Sequence, residues 1–165
     1  MKQSRNLLLW VMGLLLITIL GCDSTDMTSA KVYLQQKNYE KAEEMLLAAV
    51  DKEPSNSEPA FLLATEIYSR SKDWEKVSLY LDKSAEIGPK FADKIKQAKE
   101  KYWVDNFNVG ANGYNAMISG EAKDEEKVFV NTVKAFENCI TLNADKPESY
   151  STLAQVYLFK DDFAK

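Results

Sequence analysis

An all-α fold of antiparallel helix pairs, stacked as an α-solenoid, is predicted by three observations on this chain of 165 residues. First, the chain repeats itself. Tyr39-Glu40-Lys41-Ala42 returns as Trp74-Glu75-Lys76-Val77, and the same shift of 35 carries Tyr33 onto Tyr68, Leu46 onto Leu81 and Pro54 onto Pro89. Second, apolar residues within each unit recur at three and four, as a helix packed on one side requires. Third, a proline follows the second stripe of each unit, where it stops a helix because it cannot continue the hydrogen-bond ladder. Self-similarity at such a period marks an array in which each unit buries its apolar face against a neighbour.

The leading segment is of another kind. Lys2 and Arg5 give a positive start, Leu7 to Leu20 form an apolar run, and Ile19-Leu20-Gly21-Cys22 closes it. A basic start followed by an apolar run is the order of a bacterial export signal. At about 14 residues the run is shorter than the roughly 20 that a helix needs to cross a bilayer. The closing four residues resemble the lipobox of bacterial lipoproteins, although Leu20 is bulkier than that family usually carries. The resemblance implies a signal peptide over 1–21, acylation of Cys22, a short tether over 22–28, and a place in the bacterial cell envelope facing the periplasm or the cell surface. An uncut anchor and ordinary cleavage with release are the alternatives. In enterobacteria, resemblance to lipoproteins with aspartate after the acylated cysteine implies retention at the inner membrane through Asp23.

With Lys2 and Arg5 removed, 19 basic residues face 25 acidic ones. Nucleic acid is therefore excluded as a partner, because phosphate binding needs clustered positive charge. An anionic membrane would repel the surface, so attachment to a membrane would come from the lipid. If Cys22 is acylated, Cys139 has no partner for a disulfide, and its helical apolar setting makes it a small core hydrophobe. The chain has no histidine, which removes the commonest general base and metal ligand. No phosphate loop, nucleophile elbow or metal-spaced cluster occurs, so neither a cofactor nor an enzymatic site is expected.

The repeats then follow in order. The spacing predicts helices over roughly 27–36 and 39–52 in the first unit (29–56), and over 58–71 and 74–87 in the second (57–90). Helix pairs at this period, with an aromatic opening the second helix, a small residue three later and a proline at the end, resemble the tetratricopeptide repeat. Tyr33, Tyr39, Ala42, Leu46, Ala49 and Pro54 occupy signature positions, as do Phe61, Tyr68, Trp74, Leu81 and Pro89. Thr65, Val77 and Ser84 depart from the small residues that the family prefers.

In the third unit (91–146), Phe107, Gly110, Ala111 and Tyr114 repeat the spacing of Phe61, Ala64, Thr65 and Tyr68 at a shift of 46. About 11 residues are thus added, close to three helical turns, which preserves the helix face. Phe91, Ile95, Ala98 and Tyr102 continue the stripe. One long helix is expected over 91–118, with Gly110 and Gly113 as weak points or close-contact sites. A polar loop over 119–126 precedes a helix over 127–143 with Phe129, Thr132, Phe136, Cys139 and Leu142 inside. In the fourth unit (147–165), Tyr150, Ala154, Tyr157 and Phe163 match Phe61, Thr65, Tyr68 and Trp74 at a shift of 89. The sequence stops where a second helix is due, so a longer protein is expected.

Stacked helix pairs leave a concave groove that takes extended peptides or partner helices. Asn108, Asn112 and Asn115 share one helix face, and by repeat register they fall with Leu62, Glu66 and Ser69 on the groove side. Asparagine is a poor interior helix residue, while its amide both donates and accepts and so suits a peptide backbone. Similar asparagine ladders line some superhelical repeat proteins; a solvated face is the plainer alternative. The expectation is a lipid-anchored adaptor that binds a protein partner, similar to tetratricopeptide-like lipoproteins of outer-membrane protein insertion and pilus assembly. The alternatives are the substrate-presenting arm of a larger enzyme and a purely structural envelope component.

Overall fold

The computed structural model describes residues 24–163. The expected export signal, the lipid-bearing Cys22 and Asp23 lie outside the described residues, as do the last two positions. The described chain is all-α, with seven helices and no strand. They are α1 (Thr25–Gln35), α2 (Tyr39–Lys52), α3 (residues 58–71), α4 (Trp74–Ile87), α5 (Ala92–Ile118), α6 (Glu125–Leu142) and α7 (Pro147–Phe163). A short 3-10 turn, Pro89–Phe91, leads into α5.

The repeat extends to the turns. At the end of α1, Lys37 takes a left-handed φ of 58°, and at the end of α3 Lys72 takes 57°. The residue after each caps the next helix: Asn38 Oδ1 accepts from the Lys41 amide at 3.3 Å, and Asp73 Oδ1 from the Lys76 amide at 3.1 Å. Both turns also close with the same long-reach bond, Asn38 N to Tyr33 O (2.9 Å) and Asp73 N to Tyr68 O (3.1 Å). This geometry satisfies the last carbonyls of one helix and the first amides of the next within a connection of three residues in the first unit and two in the second. Asp124 caps α6 in the same manner, accepting from the Lys127 amide at 3.1 Å.

One element differs from the plain helix that periodicity predicts. In α3, Glu58–Leu62 is α-helical, Leu63–Tyr68 is π-helical and Ser69–Ser71 returns to α. Hydroxyls bond the carbonyls along this stretch: Thr65 Oγ1 donates to Phe61 O (2.9 Å), Ser69 Oγ to Thr65 O (2.6 Å) and Ser71 Oγ to Tyr68 O (3.1 Å). The two aromatic rings on this helix are tied to other helices. Phe61 stacks on Phe91 with centroids 4.6 Å apart, and Tyr68 stacks on Tyr80 at 5.3 Å while its hydroxyl donates to Glu43 Oε1 at 2.8 Å. Burial first, and then the Glu43 carboxylate, hold the Tyr68 phenol above its usual pKa.

Helix contacts run α1 to α2, α2 to α3, α3 to α4, α4 to α6, α5 to α6 and α6 to α7. The larger core holds Met27, Leu46, Leu63, Val77, Leu81 and Ile95, and alanines at 30, 42, 49, 60 and 64 are fully buried where helices meet. Ser84, in a place where the resemblance favours alanine, is equally buried and donates to Ser57 O at 2.9 Å. A second cluster gathers Met117, Phe136 and Val156 with Phe107, Tyr114 and Phe129. Helix α5 serves both. Its 27 residues make a rod about 40 Å long, with Ile95, Ala98 and Tyr102 in the first core and Phe107, Tyr114 and Met117 in the second.

Candidate functional site

The length of α5 produces a cleft. Its early turns lie against the α3–α4 region, where Trp74 and Tyr102 have ring centroids 5.3 Å apart. Its later turns pair with α6, which runs back to α4 and is tied there by Ser78 Oγ donating to Thr141 O at 3.0 Å. Between the α3–α4 turn and the α5–α6 pair a cleft of about 710 Å³ stays open, a volume in the usual range for ligand sites.

Two asparagine side chains join the helices at this cleft. Asn106 is 7 % exposed and uses both ends of its amide: Nδ2 donates to Tyr102 O at 2.8 Å, and Oδ1 accepts from Asn138 Nδ2 at 3.1 Å. A buried amide without partners costs roughly 1–3 kcal/mol, so this pairing is what makes the polar lining tolerable. Asn138 Oδ1 and the exposed amide of Asn131 complete the polar side of the cleft. The apolar side comes from Trp74, Tyr102 and Val109, the last 58 % exposed.

The sequence-predicted positions are distributed unequally. Ser69 lines the cleft. Leu62 packs against the larger core instead, and Glu66 faces Arg70 Nη2 at 3.8 Å. Asn108, Asn112 and Asn115 are all exposed on α5, and none of them lines the cleft. At 100° per residue, Asn108 stands about 60° round the helix from Asp105 and about 100° from Val109, which do line it, and Asn112, three residues beyond Val109, stands about 60° from it. Sequence reasoning missed Asn106, although its signal was present: it falls four residues after Tyr102 and four before Gly110, on the stripe that is otherwise apolar or small.

A smaller pocket of about 240 Å³ lies where the end of α5 meets α6 and α7, between Met117, Ile118, Phe129 and Phe159, with Glu125 and Lys160 also lining it. Among the described residues, no group of three His, Cys, Asp or Glu side chains is placed to hold a metal ion, and no helix is long and apolar enough to cross a membrane. No family model matches the chain, and no curated protein matches it.

Proposed function

We propose that this chain is a tetratricopeptide-like adaptor of the bacterial cell envelope, anchored by lipid at Cys22 and holding a segment of a partner protein in the cleft between the α3–α4 turn and the α5–α6 pair. The observation that carries the reading is the cleft itself. It combines a fixed amide pair, free amide groups and aromatic walls, the mixture that grips a peptide backbone and seats an apolar side chain. The recurrence of the turn geometry at a spacing of 35 residues supports the repeat resemblance, since Lys37 and Lys72 adopt the same left-handed conformation before matching side-chain caps. The basic start, the short apolar run and Ile19-Leu20-Gly21-Cys22 support the anchor.

Site-specific photo-crosslinking in the native envelope tests the cleft. A benzophenone side chain at Asn131, in the cleft, should give a discrete protein adduct, whereas one at Glu44, exposed on α2, should not. Identical patterns from both positions, or none from Asn131, would refute the adaptor. For the anchor, Cys22→Ser should release the protein from membranes with a loss of mass equal to its acyl groups; unchanged retention and mass would rule the lipid out.

A further inference from the structure

The chain carries a net charge of −4, yet the cleft has the opposite sign. Arg70 and Lys72 from the α3–α4 turn, Lys101 from α5 and Lys134 from α6 stand round it, with Asp105 the single acidic member of its lining. Two of the four cations are already engaged: Lys101 pairs with Asp105 at 3.0 Å, and Arg70 faces Glu66 at 3.8 Å. Lys72 and Lys134 have no ion-pair partner among the described residues. Like charges gathered from three parts of a fold repel one another, and an anion placed among them relieves that repulsion.

We infer that the cleft binds an extended acidic segment of a partner protein, with its carboxylates directed to Lys72 and Lys134. The inference deepens the adaptor reading and rests on it. The chemistry around the cations favours a peptide. Asn138 Oδ1 and the Asn131 amide offer an acceptor and donors to a main chain, and Trp74, Tyr102 and Val109 offer apolar contact to side chains between the carboxylates. From Lys101 to Val109, α5 advances about 12 Å at 1.5 Å per residue, the span of about four residues of extended chain. A nucleic acid fits poorly. Two cations without an ion-pair partner can meet a pair of carboxylates, whereas a phosphate backbone needs a longer run of positive charge than this lining supplies.

Fluorescence anisotropy with the full-length protein in neutral detergent micelles tests this. The probe is a fluorescein-labelled octapeptide alternating Asp and Val, compared with the near-isosteric peptide alternating Asn and Val. The acidic peptide should bind at least tenfold more tightly, with an affinity that falls steeply as salt rises. The double variant Lys72→Gln, Lys134→Gln should lose at least tenfold of that affinity while keeping its helical circular dichroism. A control pair outside the cleft, Lys37→Gln with Lys127→Gln, should bind as the parent does.

Equal affinity for the two peptides, no binding of the acidic peptide at millimolar concentration, or full affinity in the cleft variant would overturn the inference. The two levels separate cleanly. If the neutral peptide binds equally well and the Asn131 crosslink persists, acidity is wrong and the adaptor stands. If the crosslink is also absent, the adaptor reading falls with it.

Discussion

A Cβ atom placed on Gly113 would lie 2.1 Å from the hydroxyl oxygen of Thr132, across the interface between α5 and α6. One turn earlier, a Cβ on Gly110 would meet the ring of Phe136 at 2.7 Å. Both facing side chains are buried, Phe136 completely, so neither has solvent to swing into. Of the two roles open to these glycines, the structure shows close contact. Two effects oppose each other when either becomes alanine. Helix propensity gains about 1 kcal/mol, while overpacking a filled interface costs about 1–3 kcal/mol.

Gly113→Ala should therefore lower stability by up to about 2 kcal/mol in urea denaturation, the overpacking term winning over propensity at so short a contact. Rotating Thr132 relieves it only in part, because the Thr132 Cβ itself stands 3.3 Å from the added atom. The Thr132 hydroxyl is also buried without a hydrogen-bond partner, so Thr132→Ala removes a polar liability along with the clash. The double variant Gly113→Ala, Thr132→Ala should recover most of the loss. Additive single effects would show that the two residues do not meet as described.

Lys37 ends α1 in the left-handed region at φ 58°, a conformation that glycine adopts without penalty. Lys37→Gly should raise the denaturation midpoint by the equivalent of a few tenths to about 1 kcal/mol, because relief of the Cβ strain exceeds the added freedom of the unfolded chain. Destabilisation by this change would mean that the lysine side chain supports the turn.

Glu58 holds three parts of the chain together. Lys31 of α1 reaches one carboxylate oxygen at 2.8 Å, and Lys90, just before α5, reaches the other at 2.9 Å. Burial by itself would raise the Glu58 pKa, but the two lysines outweigh it and the folded value lies below the ordinary one. A carboxylate with a lowered folded pKa stabilises the fold above its unfolded value, about 4.3. That contribution fades as pH falls from there through the folded value. Glu58→Gln should cost up to about 1 kcal/mol at pH 7, since both lysines are partly exposed and screened. The difference between variant and parent should shrink through that acid window; a gap that stays constant with pH would exclude the ion pairs as its source.

Cys139 is buried, and its thiol stands 3.5 Å from Trp103 O. Burial pushes its pKa up to about 12, against a smaller opposing effect of Lys146. The reactive thiolate is therefore scarce at pH 8 and shielded as well. In a Cys22→Ser background, where Cys139 alone reports, maleimide labelling should be at least about 100-fold slower in buffer than in 8 M urea, following the opening of the fold. Labelling at the same rate in both would place the thiol at the surface.

The sequence by itself determined the helices and the turns between them, because those depend on neighbours within a few residues. Tyr39–Lys52 and Trp74–Ile87 begin and end where their stripes do, since Asn38 and Asp73 cap the first amides locally. The long α5 was legible for the same reason: three added turns preserve a face, and the continuous stripe from Ile95 to Met117 follows it. Tertiary structure decided the rest. The π-helical stretch of α3 joins aromatic rings whose partners, Phe91 and Tyr80, lie on other elements. The cleft depends on where α6 sets Lys134 and Asn138 relative to Arg70 and Lys72, more than 60 residues earlier in the chain. Periodicity assigns each residue to a face of its own helix. Which faces meet, and which are left open to a ligand, is fixed only when helices distant in sequence pack together, and so the buried Asn106–Asn138 pair was found at the cleft while the regular asparagine stripe beside it was what the sequence displayed.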